Sequence, residues 1–344
     1  MLTQRLVFAW LACTMSLAAL VTSAEAVTDF YQGKSVHVLV GYAVGGGYDT
    51  YGRAVAQVLG RHLPGNPSVL VQNMPGADGL LLANHMAQRA PHDGTATAVT
   101  NRSLAVSPLL GLVSASNIRY EPTKLQWLAS LNSEVSLLIV RKELGIRRLE
   151  DLQGRPIRVG STGLTSNNAV YPYVLNNLFG TQVKVVTGYP GTSHLALALE
   201  RNEIDGVAGW AWSSLRLQRP DWIRDGKVVL VLQLGTERVP ELKDVPLILD
   251  LARSDDERHA LELIFSPETM GRPFFAPPQT PKEAVTLLRN AFAATVEDPE
   301  FRSVAERSGL DITFTGGDTI QRMVARLNAA RPEVVQMAQR VMQP

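Results

Sequence analysis

The sequence is poor in the residues that carry most covalent and metal chemistry. One of its 344 residues is cysteine, Cys13, and it lies in an N-terminal apolar run. A single cysteine forms no internal disulfide. Once that run is removed, no thiolate nucleophile and no Cys-ligated metal remain. The six histidines, at positions 37, 62, 85, 92, 194 and 259, are scattered, and neither His-Glu-x-x-His nor Gly-x-Ser-x-Gly occurs. Ser193 and His194 adjoin, but adjacent residues do not face each other on a helix, so no nucleophile and base pair is implied. An excess of charge of one sign is missing too, with 33 Lys and Arg against 32 Asp and Glu. Polyanions need clustered cations, so nucleic acid is excluded as a partner. Nothing here calls for a catalytic residue, a metal or a cofactor. With 45% hydrophobic and 19% charged residues, the chain has the composition of an ordinary globular protein.

Arg5 precedes an apolar run over residues 6–21, and Ala24-Glu25-Ala26 follows as a small-x-small site. This is the pattern of a cleaved secretory signal peptide over residues 1–26. The run is nearly long enough for an uncleaved anchor, but Thr22, Ser23 and the Ala-x-Ala site follow it directly. Lipidation at Cys13 would leave an apolar region of about half the usual length. Nowhere beyond the leader do 18 consecutive apolar residues occur. Export without disulfides fits a bacterial periplasm, which is the expected location.

At roughly 100–200 residues per domain, the chain has room for about two domains. From residue 36, β-branched runs alternate with helical patterns, the signature of sheets covered by helices. Strands are expected at 36–42, 69–72 and 95–100, with helices after the first (Ala54, Val55, Val58, Leu59, His62) and over 80–90. A second alternation follows Pro122, with strands near 135–140, 157–160, 183–187, 206–211 and 228–234. Helices are expected between them at 166–178, 194–201 and 213–224. The last hundred residues are mostly helical, with short strands at 274–276 and 311–315, too few for a third sheet. The expected fold is α/β and two-lobed, each lobe a mainly parallel sheet flanked by helices. Residues 27–130 plus 236–344 would form lobe 1 and residues 131–235 lobe 2. Two crossings between lobes make a hinge, with a cleft between them.

Three strand-to-helix loops could carry chemistry. Gly41-Tyr42-Ala43-Val44-Gly45-Gly46-Gly47-Tyr48-Asp49 follows the first strand. Three glycines let the backbone turn sharply and bring bare N–H groups to a ligand, while a helix N-terminus adds partial positive charge. The segment lacks the Gly-Lys-Ser/Thr of a Walker loop and has Thr50 where a dinucleotide loop needs glycine. It is either an anion cradle or a tight turn with Asp49 as N-cap. The loops at 160–167 and 188–194 have the same design, rich in Gly and hydroxyl groups and each opening a helix. Capping alone explains either one in isolation; together, across a cleft, the three favour a clamp on an anion.

The sequence resembles the substrate-binding proteins of tripartite tricarboxylate transporters, also called Bug proteins. The resemblance rests on Phe30-Tyr31-Gln32-Gly33-Lys34, the loop from Tyr42 to Asp49, and Asn73-Met74-Pro75-Gly76-Ala77-Asp78-Gly79. It continues through Ala90-Pro91-His92-Asp93-Gly94, Gly188 to Gly191 with Glu203-Ile204-Asp205, and Phe275-Ala276-Pro277-Pro278-Gln279-Thr280-Pro281. These segments run in order along almost the whole mature chain. The resemblance implies a type II periplasmic binding-protein fold with two crossover segments. It also implies a small organic carboxylate held mainly by backbone N–H groups, hydroxyls and waters, and inner-membrane transporter subunits as partners. Presentation of the ligand to a membrane histidine kinase is an alternative that the residues do not separate. Val44 stands where the family has Pro, and Tyr48 where it has a small residue, so the pocket beside Tyr48 should differ.

The candidate ligand-binding residues are Tyr42, Gly45, Gly46, Gly47, Tyr48 and Asp49, with Ser161, Thr162, Gly191, Thr192 and Ser193 from the second lobe. The protein is expected to work as a monomer. Trp210 and Trp212 share a strand face and are read as core under a helix, the alternative being an aromatic wall of the cleft. His194 is read as exposed at a helix start, and Asp78 and Asp93 as local turn formers.

Overall fold

The computed structural model describes residues 29–164, 166–189 and 191–344. The signal-peptide region therefore lies outside the described residues, as do Thr165 and Pro190 of the second-lobe loops.

Alternation within β1 (Ser35–Val40) sends Val36, Val38 and Val40 to one face of a sheet and Leu39 to the other. After β1 come α1 (Gly47–Val58), β2 (Ser68–Asn73), α2 (Leu80–Gln88) and β3 (Ala96–Val99), with β2 and β3 both parallel to β1. A short α3 (Ser107–Leu110) leads to β4 (Gln126–Ser130), and the chain then crosses to a second sheet at β5 (Ser136–Arg141). There it forms β6 (Ile157–Gly160), α4 (Asn167–Phe179), β7 (Val183–Val186), α5 (Thr192–Glu200) and β8 (Gly206–Ala211). Helices α6 (Trp212–Gln218) and α7 (Pro220–Arg224) precede β9 (Val228–Leu234). The chain continues through α8 (Asp255–Phe265) and returns with β10 (Pro273–Ala276), α9 (Lys282–Glu297), α10 (Pro299–Arg307), β11 (Thr315–Gly316), α11 (Gly317–Asn328) and α12 (Pro332–Val341). The strand orders are β11-β4-β10-β3-β1-β2 and β7-β6-β8-β5-β9.

The sheets are mixed, which corrects the expectation of mainly parallel ones. Strand β10 runs antiparallel to both β3 and β4, and β11 antiparallel to β4. In the second sheet β6 is parallel to β7 and β8, whereas β5 is antiparallel to β8 and β9. The antiparallel pairs involve strands flanking the crossings, where no βαβ return sets the direction. The helix expected over 213–224 is two helices. Pro220 lacks an N–H and pushes Arg219 out of the helical region, to φ −141°, ψ 55°.

Each sheet is covered on both faces. Val36, Val38 and Val40 pack with Tyr51, Val55, Leu288, Phe292 and Phe301 beneath α1, α9 and α10, while Leu39 and Phe275 pack with Leu82, Met86 and Val324 beneath α2 and α11. In the second sheet Leu137, Ile139 and Val207 bury against Leu195, Leu199 and Leu215. Its other face, Leu138, Val140 and Val159, joins Val174 of α4, Leu261 and Phe265 of α8, and Val334 and Ala338 of α12. The C-terminal segment thus divides its packing between the two sheets. Among the described residues, no helix is long and apolar enough to cross a membrane.

Candidate functional site

The glycine loop opens α1 one turn earlier than the turn reading requires. Gly46 is the N-cap, in extended conformation at φ −81°, ψ 166°, and no side chain bonds to the helix start. Gly45, at φ +83°, makes the reversal that favours glycine. Asp49 is therefore not the cap. It lies inside the first turn, 1% exposed, and its carboxylate accepts from the Gly45 N–H (2.8 Å), Arg53 Nε (2.9 Å) and Asn73 Nδ2 (2.8 Å). Burial works against its charge, but these hydrogen bonds outweigh burial and hold the carboxyl below its usual range. Asp49 thus folds the loop and takes up the Gly45 donor. The N–H groups of Gly46, Gly47 and Tyr48 belong to the first turn, which has no intrahelical acceptors for them. All three glycines are exposed, as is Val44 at the tip.

Tyr48 turns back over Tyr42, their rings stacked with centroids 4.7 Å apart and an interplanar angle of 8°. The Tyr42 hydroxyl donates to Asp78 Oδ1 at 2.8 Å, and Asn101 Nδ2 donates to the other oxygen of that carboxylate. Asp78 is therefore not a local turn former, although it sits in a turn at φ +54°. Burial pushes its carboxyl up to about 6 in spite of both hydrogen bonds. The Tyr48 hydroxyl accepts a long bond, 3.4 Å, from the Arg102 N–H. Next in the chain, Ser103 Oγ donates at 3.0 Å to Asn167 Oδ1, at the start of α4 in the second lobe. The 101–103 turn thereby links the N-termini of α1 and α4.

The second-lobe loops divide into shaping and free groups. Ser161 is fully buried, with Oγ donating to Gly163 O (2.8 Å) and 2.9 Å from Ser166 Oγ, so this hydroxyl braces its own turn. Thr162 is exposed. Neither Ser166, the N-cap of α4, nor Gly191, the N-cap of α5, makes a side-chain bond to its helix start. The Tyr189 N–H donates to Ser161 O at 3.3 Å, tying the two loops together. Gly191 and Thr192 are half-buried, and Ser193 is exposed, as is His194. Three strand-to-helix loops, all without a side-chain cap, gather around this region.

Three charged residues that the sequence reading did not single out complete it. Glu268, fully buried, accepts from Arg102 Nη2 at 2.6 and 2.7 Å, Ser136 Oγ at 3.0 Å, Asn167 Nδ2 at 3.2 Å and Tyr171 Oη at 2.5 Å. Burial disfavours the Arg102 cation, but Glu268 more than offsets this and raises its pKa well above the usual value. The pair joins the loop after β3 to β5 and α4, across the lobes. Arg272, just before β10, is 4% exposed and lies 4.8 Å from the Tyr48 ring centroid and 5.1 Å from that of Tyr51.

Elsewhere the roles are structural. Trp210 and Trp212 are core residues beside Leu195, Leu215 and Trp222, not cleft walls. Asp93 accepts from the Thr95 N–H at 3.0 Å, as a turn former does. A cavity of about 820 Å³ lies apart from all three loops, lined in part by Ser133, Thr236, Arg258, Met323 and Arg331. Arg258 and Arg331 are already paired there, to Glu262 and Asp256, each at 3.4 Å. The helix starts of the loops, by contrast, offer donors without partners, so the loops are the better candidate. No cluster of metal-ligating side chains occurs among the described residues.

Comparison with known proteins finds likeness over the whole architecture. The family model described as tripartite tricarboxylate transporter family receptor matches residues 52–338. A UPF0065 protein of Bordetella pertussis (strain Tohama I) is 22% identical over 328 residues, 92% of this chain and 94% of the relative. Among solved structures, MatC from Rhodopseudomonas palustris with bound malate has a TM-score of 0.64 at 21% identity, covering 90% of this chain and 99% of that one. Rpa4515 of R. palustris with adipate has a TM-score of 0.65 at 19% identity, covering 88% and 97%. The two-lobed α/β fold is common to them.

Proposed function

Because this chain belongs to the receptor family of tripartite tricarboxylate transporters, we propose that it is a periplasmic protein that captures a small organic carboxylate between its lobes and delivers it to inner-membrane transporter subunits. Family and fold are those of binding proteins, not of enzymes. The observation that carries the ligand class is the gathering of three helix N-termini, at Gly46, Ser166 and Gly191, none capped by a side chain. Unmatched N–H groups at a helix start, with the positive end of the helix dipole, suit an anion. The donors are the N–H groups of Gly46, Gly47 and Tyr48 on one side and the N–H and hydroxyl groups of Thr162, Thr192 and Ser193 on the other, with the Tyr42–Tyr48 stack as a wall. Gly45, Asp49 and Ser161 shape the loops. Closure would swing the lobes about the crossings near residues 130 and 236. Malate and adipate, held by the two structural neighbours, are both dicarboxylates and set the class to try first.

A thermal-shift screen of the mature protein against mono-, di- and tricarboxylates tests the proposal. Ligand at 100 times its Kd stabilises a fold by about 2.7 kcal/mol, a readable shift. A response to sugars or cations with none to any organic acid would overturn it.

A further inference from the structure

We infer that Arg272 is the cation that neutralises the ligand's carboxylate at the N-terminus of α1, and so the residue that selects an ionised acid over a neutral molecule of the same shape. The inference rests on the carboxylate reading above and goes beyond it, since none of the three loops contains Lys or Arg.

The geometry points to an incomplete charge pair. Arg272 donates from Nη1 to the carbonyl of Gly271 at 2.7 Å, but Nε has no acceptor although it is buried. Among the described residues no carboxylate comes within ion-pair distance of Arg272, and the acids of this region bond to other groups. Asp49 pairs with Arg53, Glu268 with Arg102 and Asp311 with Arg216, while Glu134 accepts from Asn132, the Val135 N–H and Ser213. What Arg272 has instead is the faces of Tyr48 and Tyr51, which offset only part of the cost of burying a guanidinium.

Its other neighbour increases that cost. A Cβ built on Gly47 would come 3.1 Å from Arg272 Nη2, so the guanidinium lies against the first residue of α1, at the positive end of that helix. Two positive features therefore meet with no negative one between them. The bare Cα of Gly47 leaves the approach to Nη2 open from the exposed side of the loop. A carboxylate received by the N–H groups of Gly46 and Gly47 would meet the guanidinium as well, and planar oxygens suit that fork. A carboxamide would turn an NH2 donor toward the same donors.

Calorimetric titration of the mature chain with adipate and with adipamide, the same carbon chain without charge, tests this. The wild type should bind adipate at least tenfold more tightly than adipamide. Arg272→Gln and Arg272→Met should weaken adipate tenfold or more and bring the ratio near one, and Arg272→Lys should keep part of it. Gly47→Ala, a change that favours the helix, should also lower the ratio by placing a methyl against Nη2. Variants that melt like the wild type and keep its ratio would overturn the role of Arg272 and leave the carboxylate reading standing. A wild type that binds no organic acid would overturn both. Should Arg272→Gln and Arg272→Met both fail to fold, the crystal structure of the wild type with adipate decides. A carboxylate oxygen within hydrogen-bond distance of Arg272 Nε or Nη2 supports the inference, and one held elsewhere refutes it.

Discussion

Replacing Glu268 with glutamine keeps the side-chain volume and removes one charge from the hub between the lobes. The carboxylate is fully buried, and Arg102, Ser136, Asn167 and Tyr171 all donate to it. An amide nitrogen in place of either oxygen would face the Arg102 guanidinium, which bonds to both oxygens and cannot accept, and Arg102, itself 6% exposed, would lose its counter-ion. Breaking one side of a buried, hydrogen-bonded ion pair costs about 3–5 kcal/mol. The five hydrogen bonds from these four residues are part of that figure and are not added to it. Urea unfolding should show the loss as a lower midpoint at unchanged slope. The double variant Arg102→Met/Glu268→Leu should recover only part of the loss, because it leaves no charge unpaired but takes the acceptor from Ser136, Asn167 and Tyr171. A Glu268→Gln protein within about 1 kcal/mol of wild type would refute the reasoning, since an uncompensated buried guanidinium cannot be that cheap.

Three further outcomes are expected. Gly46→Pro is compatible with the φ of −81° there and removes one N–H, so affinity for the bound acid should fall roughly tenfold to a hundredfold by calorimetry, against a smaller loss for Thr192→Val; unchanged binding would make the loop a mere turn. Tyr48→Ala should change the ranking of ligands in a thermal-shift panel more than it lowers the unliganded melting temperature, because its ring stacks on Tyr42 beside the glycine turn and is the proposed wall of the site; an unaltered ranking would make Tyr48 a packing residue. Asp78, pushed by burial from 3.8 to about 6, binds a proton in the folded state that the unfolded chain has already released. Its contribution to stability is therefore present at low pH and lost as pH rises through about 6, so Asp78→Asn should flatten the decline between about pH 4 and 6 in melting curves.

The sequence pattern was most informative where a strand is β-branched and buried. The expected spans 157–160, 206–211 and 228–234 coincide with β6, β8 and β9. Strand β4, Gln-Trp-Leu-Ala-Ser, was missed because it contains no β-branched residue and both its ends are polar. Strand direction was not readable for β4, β5 and β10, since it depends on which lobe the chain comes from and not on local propensity. Helices α8 and α12 carry apolar stripes that suit either sheet, and only the path of the chain brings them to the cluster beneath the second.

The same division explains what the site hid. Glycine-rich turns after strands are local signals, and they correctly marked three helix N-termini. What those turns do with their donors was not local. The Asp49 carboxylate draws back the Gly45 N–H only because Asn73, from the neighbouring strand, and Arg53, one turn further on, hold it in place. The Asp49-to-Arg53 spacing was the one visible hint, an i, i+4 pair on a helix. Arg102 and Glu268 lie 166 residues apart and Arg272 lies more than 200 residues from the glycine loop, and each reads alone as an ordinary surface charge. The usable signal was position: Arg272 directly precedes the apolar Pro273–Ala276 strand, where a long cation has to run along the sheet edge or be buried. Here it is buried against a helix start made of glycine, so a loop whose own residues carry no cation receives its positive charge from a segment more than 200 residues away in the chain.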